Sequence, residues 1–166
     1  MKSRAPLALM EQMVMLLVFA LAAALCLQAF VKSDQISLKN RARSNAALTA
    51  QNTAEIIRHN GGSVEDALVE AAERQGGKYL KSDNDTAGGK LIISYDEEWR
   101  PVENGIYLLT VQEVQTEEEG LQKVLVQVVD RSGEEDMSDQ AAVDAAAGQE
   151  ILFELETAWL EVEGNE

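Results

Sequence analysis

The chain has 166 residues, a net charge of −15, one Cys and one His. So acidic a chain repels nucleic-acid phosphates, which excludes nucleic acid as a partner class. A single Cys, Cys26, precludes an intramolecular disulfide, and the lone His59 leaves no His-Glu metal motif.

Residues 1–6 form a short basic leader containing Lys2 and Arg4. Leu7–Val31 is a run of 25 residues, apolar except for Glu11, Gln12 and Gln28. About 20 apolar residues cross a bilayer core as a helix, so residues 7–31 read as a transmembrane helix. Pro6 suits a helix start, where its missing N–H costs nothing. Residues 32–60 are polar but helix-favouring, and no Pro or Gly intervenes before Gly61-Gly62. The expectation is one long helix, roughly 80 Å if continuous from Leu7 to His59, with residues 32–60 as its extramembrane continuation. Two weak stripes recur there at helical spacing. One is Ile36, Ala47, Ala50, Ala54 and Ile57; the other is Ala42, Ala46, Thr49, Thr53 and Ile56. Stripes of this kind suit a helix packed on one side and exposed on the other.

A cleaved signal peptide is the competing reading of the amino terminus. Lys2 and Arg4 supply its basic region, and Ala22 and Ala24 its small residues. Glu11 and Gln12 interrupt the apolar core that such a signal needs, and the apolar run continues past Ala24 to Val31. A retained segment fits better. Flanking charges do not orient it: Lys2 and Arg4 stand on one side, Lys32, Lys39, Arg41 and Arg43 with Asp34 on the other.

Residues 61–166 hold 7 Lys/Arg and 26 Asp/Glu, a net of −19, and are long enough for one domain with its own core. Gly61-Gly62 should end the long helix. Ser63 is an N-cap candidate with Glu65 and Asp66 in the first turn of a second helix. Val64, Ala67, Leu68 and Ala71 mark its buried face, and Gly76-Gly77 its close. Residues 78–90 read as loop. Leu91–Tyr95, Ile106–Thr116, Leu121–Asp130 and Glu150–Glu161 read as strands of an antiparallel meander, with Glu117–Gly120 as a hairpin loop. In the last strand, Ile151, Phe153, Leu155 and Trp159 share one face, opposite Glu154, Glu156 and Ala158. Residues 134–149 form an acidic, Ala-rich insert. The predicted fold class is α+β: a long N-terminal helix and a small antiparallel sheet.

Little in this inventory supports catalysis. His59 sits near a helix C-terminus, where the dipole favours a cation. Cys26 lies in the apolar run. No nucleophile elbow, phosphate loop or metal motif is present. Asp83–Gly88 begins like a calcium loop, with Asp83 and Asp85 at positions one and three and Gly88 at six. Ala87 and Ser94 occupy positions five and twelve, where ligands are needed. Trp99 and Trp159 read as core or sheet-face aromatics. No enzyme activity and no cofactor is expected.

Glu11 is the residue that stands out. A carboxylate in a membrane helix is costly, less so near the interface. It either snorkels to the headgroups or pairs with a positive group on a neighbouring chain. The segment Leu7-Ala8-Leu9-Met10-Glu11-Gln12, opening an apolar helix after a short basic leader, resembles the amino terminus of type IV pilins and type II secretion pseudopilins. In that family the leader ends at Gly and the mature chain carries Glu at its fifth position. The resemblance places the leader junction between Pro6 and Leu7 and makes Glu11 the assembly residue. Pro6 stands where the family has Gly, so the leader is degenerate. The resemblance implies a long helix, half in the membrane, with a C-terminal sheet on its outer half. It further implies a cytoplasmic amino terminus and an extracytoplasmic domain at residues 61–166. The implied role is that of a subunit or accessory component of a type IV pilus, competence or type II secretion apparatus. The implied partners are the membrane, other pilin-like subunits, a platform protein and a secretion ATPase. The alternative is a generic single-pass membrane protein whose extracytoplasmic domain binds a ligand or partner.

Overall fold

The computed structural model describes residues 5–81, 89–118, 120–133 and 149–161. Its elements are α1 (Ala5–Asn60), α2 (Val64–Gln75), β1 (Lys78–Leu80), β2 (Lys90–Tyr95), β3 (Tyr107–Glu113), β4 (Leu121–Asp130) and β5 (Glu150–Leu160). The chain divides into two compact units, residues 1–41 and residues 42–166.

The first unit consists, where described, of the first part of α1. From Leu9 to Arg41 every side chain is exposed. Pro6 and Leu7 lie in the first turn, where N–H groups have no partner within the helix and proline's missing one costs nothing. This segment is long and apolar enough to cross a membrane.

The second unit is an α+β domain. Its sheet is a five-stranded antiparallel meander in the order β1-β2-β3-β4-β5. One face carries the main core. Ile93 pairs with Leu109, Leu109 with Val128 and Val128 with Phe153; Leu91, Val111, Val126 and Leu155 form the next row. The period of two along each strand puts these rows on one side. The last turns of α1 contribute Ala46, Ala50, Ala54 and Ile57 to that core, and α2 contributes Val64, Ala67, Leu68 and Ala71. The alanines add little side-chain volume, and β-branched and leucine side chains from the strands make up much of the rest of the cluster. The other face holds a smaller cluster of Ile92, Leu108 and Val129, with Leu80 against it.

The local signals act as expected at both helix ends. Gly61 takes φ 66° directly after α1. Ser63 caps α2: its Oγ accepts from the Asp66 N–H at 3.2 Å and donates to the Asp66 carboxylate at 2.8 Å. Gly76 closes α2 at φ 70°, and the Gly77 N–H reaches the Ala72 carbonyl at 2.9 Å. Thr53 ties the two helices. Its hydroxyl donates to the Thr49 carbonyl at 2.9 Å and lies 2.9 Å from Gln75 Oε1.

Three details differ from the sequence expectation. Lys78–Leu80, read as loop, is the strand β1, paired with Leu91 through Tyr79. Only three residues long, it carries no alternation to read. The buried stripe on α1 is neither of the two expected. It runs Ala46, Ala50, Thr53, Ala54 and Ile57, drawing on both, while Ile36 is exposed and Ala47 and Thr49 are half-buried. Ile151 does not share the inward face with Phe153. The register shifts at Val128/Val129, so Leu152 is an extra residue and is buried in its place. A bulge of this kind turns the following side chain over.

Candidate functional site

The feature with the greatest unmet physical demand is the apolar part of α1. Phe19 and Phe30 are 74% and 75% exposed, and the apolar side chains between Leu9 and Val31 behave alike. A continuous apolar surface of this length needs lipid or other helices around it. Glu11 stands near its start. Among the described residues, no hydrogen bond or ion pair engages it. Cys26 is exposed on the same segment. Fifteen residues at 1.5 Å each set it about 22 Å further along the axis, and the helical period returns it to within about 60° of Glu11. The two side chains therefore share one broad face. The arrangement puts one carboxyl group and one thiol on the same face of an exposed, largely apolar helix.

Among the described residues, the second unit holds no comparable exposed apolar segment. His59 lies in the last turn of α1, exposed beside Arg58, Glu55 and Arg74 along an open groove. A cleft of about 410 Å³ between α2, β2 and the β2–β3 loop is lined by Gly77, Ile92, Ser94, Pro101 and Val102 among others. Lys78 and Glu103 approach to 3.5 Å at its rim. The Ser94 hydroxyl oxygen is buried and, among the described residues, has no hydrogen-bond partner. Ser94 belongs to β2, which is a poor setting for the twelfth position of a calcium loop. Asp83–Gly88, the remainder of that expected loop, lie outside the described residues. No group of three His, Cys, Asp or Glu able to hold a metal occurs among the described residues.

The β2–β3 connection forms a structured corner. Asp96 Oδ1 accepts the Glu98 N–H at 3.0 Å and the Arg100 N–H at 2.9 Å, and Oδ2 accepts Arg100 Nε at 2.9 Å. The backbone N–H of Arg100, with its guanidinium, holds the Asp96 carboxyl below its ordinary range. The turn this creates puts Trp99 at φ 62°. Its ring stacks on Tyr107, centroids 4.4 Å apart, and tilts against Tyr95 at 6.0 Å. Burial pushes the Tyr95 phenol up to about 12. Gly105 is required here, because a Cβ would overlap the Tyr95 carbonyl. Trp99 therefore packs as a plug on the end of the core, and its stacked face is not open to a ligand. Trp159 is buried, with its indole N–H satisfied. Sequence pattern alone gave no sign of this aromatic corner, nor of the fully buried Arg131 beyond β4.

No protein family, curated protein or solved structure matches the chain.

Proposed function

We propose that the chain is a non-enzymatic, membrane-anchored, pilin-like subunit or accessory component of a type IV pilus, competence or type II secretion apparatus. The reading rests on one observation. A solitary carboxylate, Glu11, opens an exposed segment, apolar apart from Gln12 and Gln28, of a helix whose last turns, Ala46–Ile57, form part of a sheet domain's core. An unpaired charge in an apolar setting gains most from a positive group on a neighbouring chain. The proposed partners are other pilin-like subunits in the membrane, with a platform protein and a secretion ATPase as the machinery that moves them. In this reading the amino terminus is cytoplasmic and the acidic sheet domain extracytoplasmic.

A second reading has its own support. Pro6 stands where a pilin leader carries Gly, and Pro fixes φ and lacks an N–H. That favours a single-pass protein that keeps its leader and uses the sheet domain to bind a ligand or partner. Intact mass of membrane-extracted protein tests processing, and loss of residues 1–6 supports the first; neighbouring genes encoding a secretion ATPase and other pilin-like chains also favour the first over the second. Protease added to intact spheroplasts tests sidedness. Digestion of the acidic domain is expected, and full protection rejects the orientation.

A further inference from the structure

The two edges of the sheet are unlike. β1 offers three residues, too few to template another strand, whereas β5 offers 11. Among the described residues, no strand pairs with β5 on the side away from β4. From Phe153 to Leu160 its pairing with β4 is regular; the bulge at Leu152 disturbs only the first turn of the ribbon. That leaves an edge longer than an average strand of about five to six residues.

The core-facing row of β5 is incompletely covered. Val124, Val126 and Val128 on β4 are fully buried, but their neighbours Thr157, Leu155 and Phe153 on β5 are only half-buried. On the opposite face of the same strand Leu160 is 69% exposed and Ile151 44%. An added strand would cover the row and satisfy the outward backbone groups together.

Charge selects the occupant. The opposite face of β5 presents Glu154 and Glu156, and Glu161 follows the strand. Glu154 accepts from Gln127 Nε2 at 2.7 Å and Glu161 from Gln122 Nε2 at 2.8 Å. Glu156 pairs with Lys123 at 2.6 Å. Two of the three carboxylates thus bond to neutral amides rather than to a cation. A second copy of β5 would bring like charges face to face, which disfavours self-pairing. Residues 134–148 carry five acidic residues and no basic one, so that segment is repelled too.

We propose that the β5 edge binds an extended, basic segment of a partner protein as a sixth strand. Apolar residues of that segment lie over Phe153, Leu155 and Thr157, and Lys or Arg residues lie opposite Glu154 and Glu156. The proposal does not depend on the pilin-like reading.

The test uses the full chain in detergent micelles and an end-capped peptide of alternating valine and lysine as probe. The expected result is saturable binding with slower amide exchange along Phe153–Leu160 and none along β1. A peptide with valine and glutamate should bind about tenfold more weakly. A valine–lysine peptide interrupted by proline should lose binding, since it cannot form the ladder. The double substitution Glu154→Lys with Glu156→Lys should reverse the preference between the two charged peptides. Equal binding of the proline-interrupted peptide, protection away from β5, or no binding at all would overturn the proposal. The proline control needs no change to the protein, so misfolding of the double variant cannot mask the outcome.

Discussion

The indole N–H of Trp159 donates to the Gly62 carbonyl at 3.1 Å. One bond ties the last strand of the sheet to the turn that ends α1, across almost the whole second unit in sequence. The Gly62 carbonyl lies just past the helix end, where backbone acceptors lack intrahelical partners. Trp159, opposite Gln122, thus fills the core and satisfies an acceptor at its margin.

Trp159→Phe should cost about 1–2 kcal/mol, the worth of one hydrogen bond and the acceptor it leaves. Trp159→Ala adds a cavity and should cost about 3–5 kcal/mol. Denaturant unfolding of the two variants checks the ordering. Equal losses would mean that the bond contributes nothing beyond packing.

Val128→Asp should unfold the sheet domain, because it places an unpaired carboxylate at a fully buried position between Leu109 and Phe153. Phe153→Asp should be milder, since Phe153 is only half-buried and water can reach the new charge. Circular dichroism at fixed denaturant distinguishes them. If Phe153→Asp were the more damaging, the edge of the sheet would be better covered than described.

Glu11→Ala should leave membrane insertion intact or improved, because removing a charge eases partitioning into lipid. It should lower crosslinking between copies through Cys26, which shares the face of Glu11. Equal crosslinking yields in wild type and variant would favour simple snorkelling of Glu11 and remove its proposed assembly role.

Tyr95 and Asp96 act on opposite pH limits of the sheet domain, with Tyr79 and Tyr107 raised in the same direction as Tyr95. Burial raises the Tyr95 pKa from 10.0 to about 12. Its contribution is fully present below pH 10 and is lost between pH 10 and about 12, where only the unfolded chain releases the proton. The slope reaches about 1.4 kcal/mol per pH unit. Asp96 is depressed by the Arg100 N–H, so its contribution is present above its ordinary value of 3.8 and is lost as pH falls through the lower folded value. Tyr95→Phe should flatten the alkaline limb of a stability–pH curve, and Asp96→Asn the acid limb. Unchanged limbs would reject these assignments.

Elements governed by their own residues were legible in the sequence. The N-cap at Ser63, the stop at Gly61, the closure at Gly76 and the strand Leu121–Asp130 all follow from local chemistry: a side-chain oxygen for an orphan N–H, a backbone free to take positive φ, and a period of two. The apolar run and Glu11 were legible for the same reason, because length and polarity need no neighbours to be read.

Tertiary structure decided what depends on a partner surface. Neither stripe on α1 is strongly apolar, so hydropathy does not fix which face turns inward; packing in the domain core selects Ala46, Ala50, Thr53, Ala54 and Ile57. Ile151 and Phe153 obey the same alternation, yet pairing with β4 inserts a bulge and exchanges Ile151 for Leu152. β1 exists because β2 offers it an edge, its three residues having no preference of their own to declare. Tyr95, Trp99 and Tyr107 meet only because Asp96 folds the connection back on itself. Local propensity fixes where elements begin and end, whereas contact between them fixes which side chains they share.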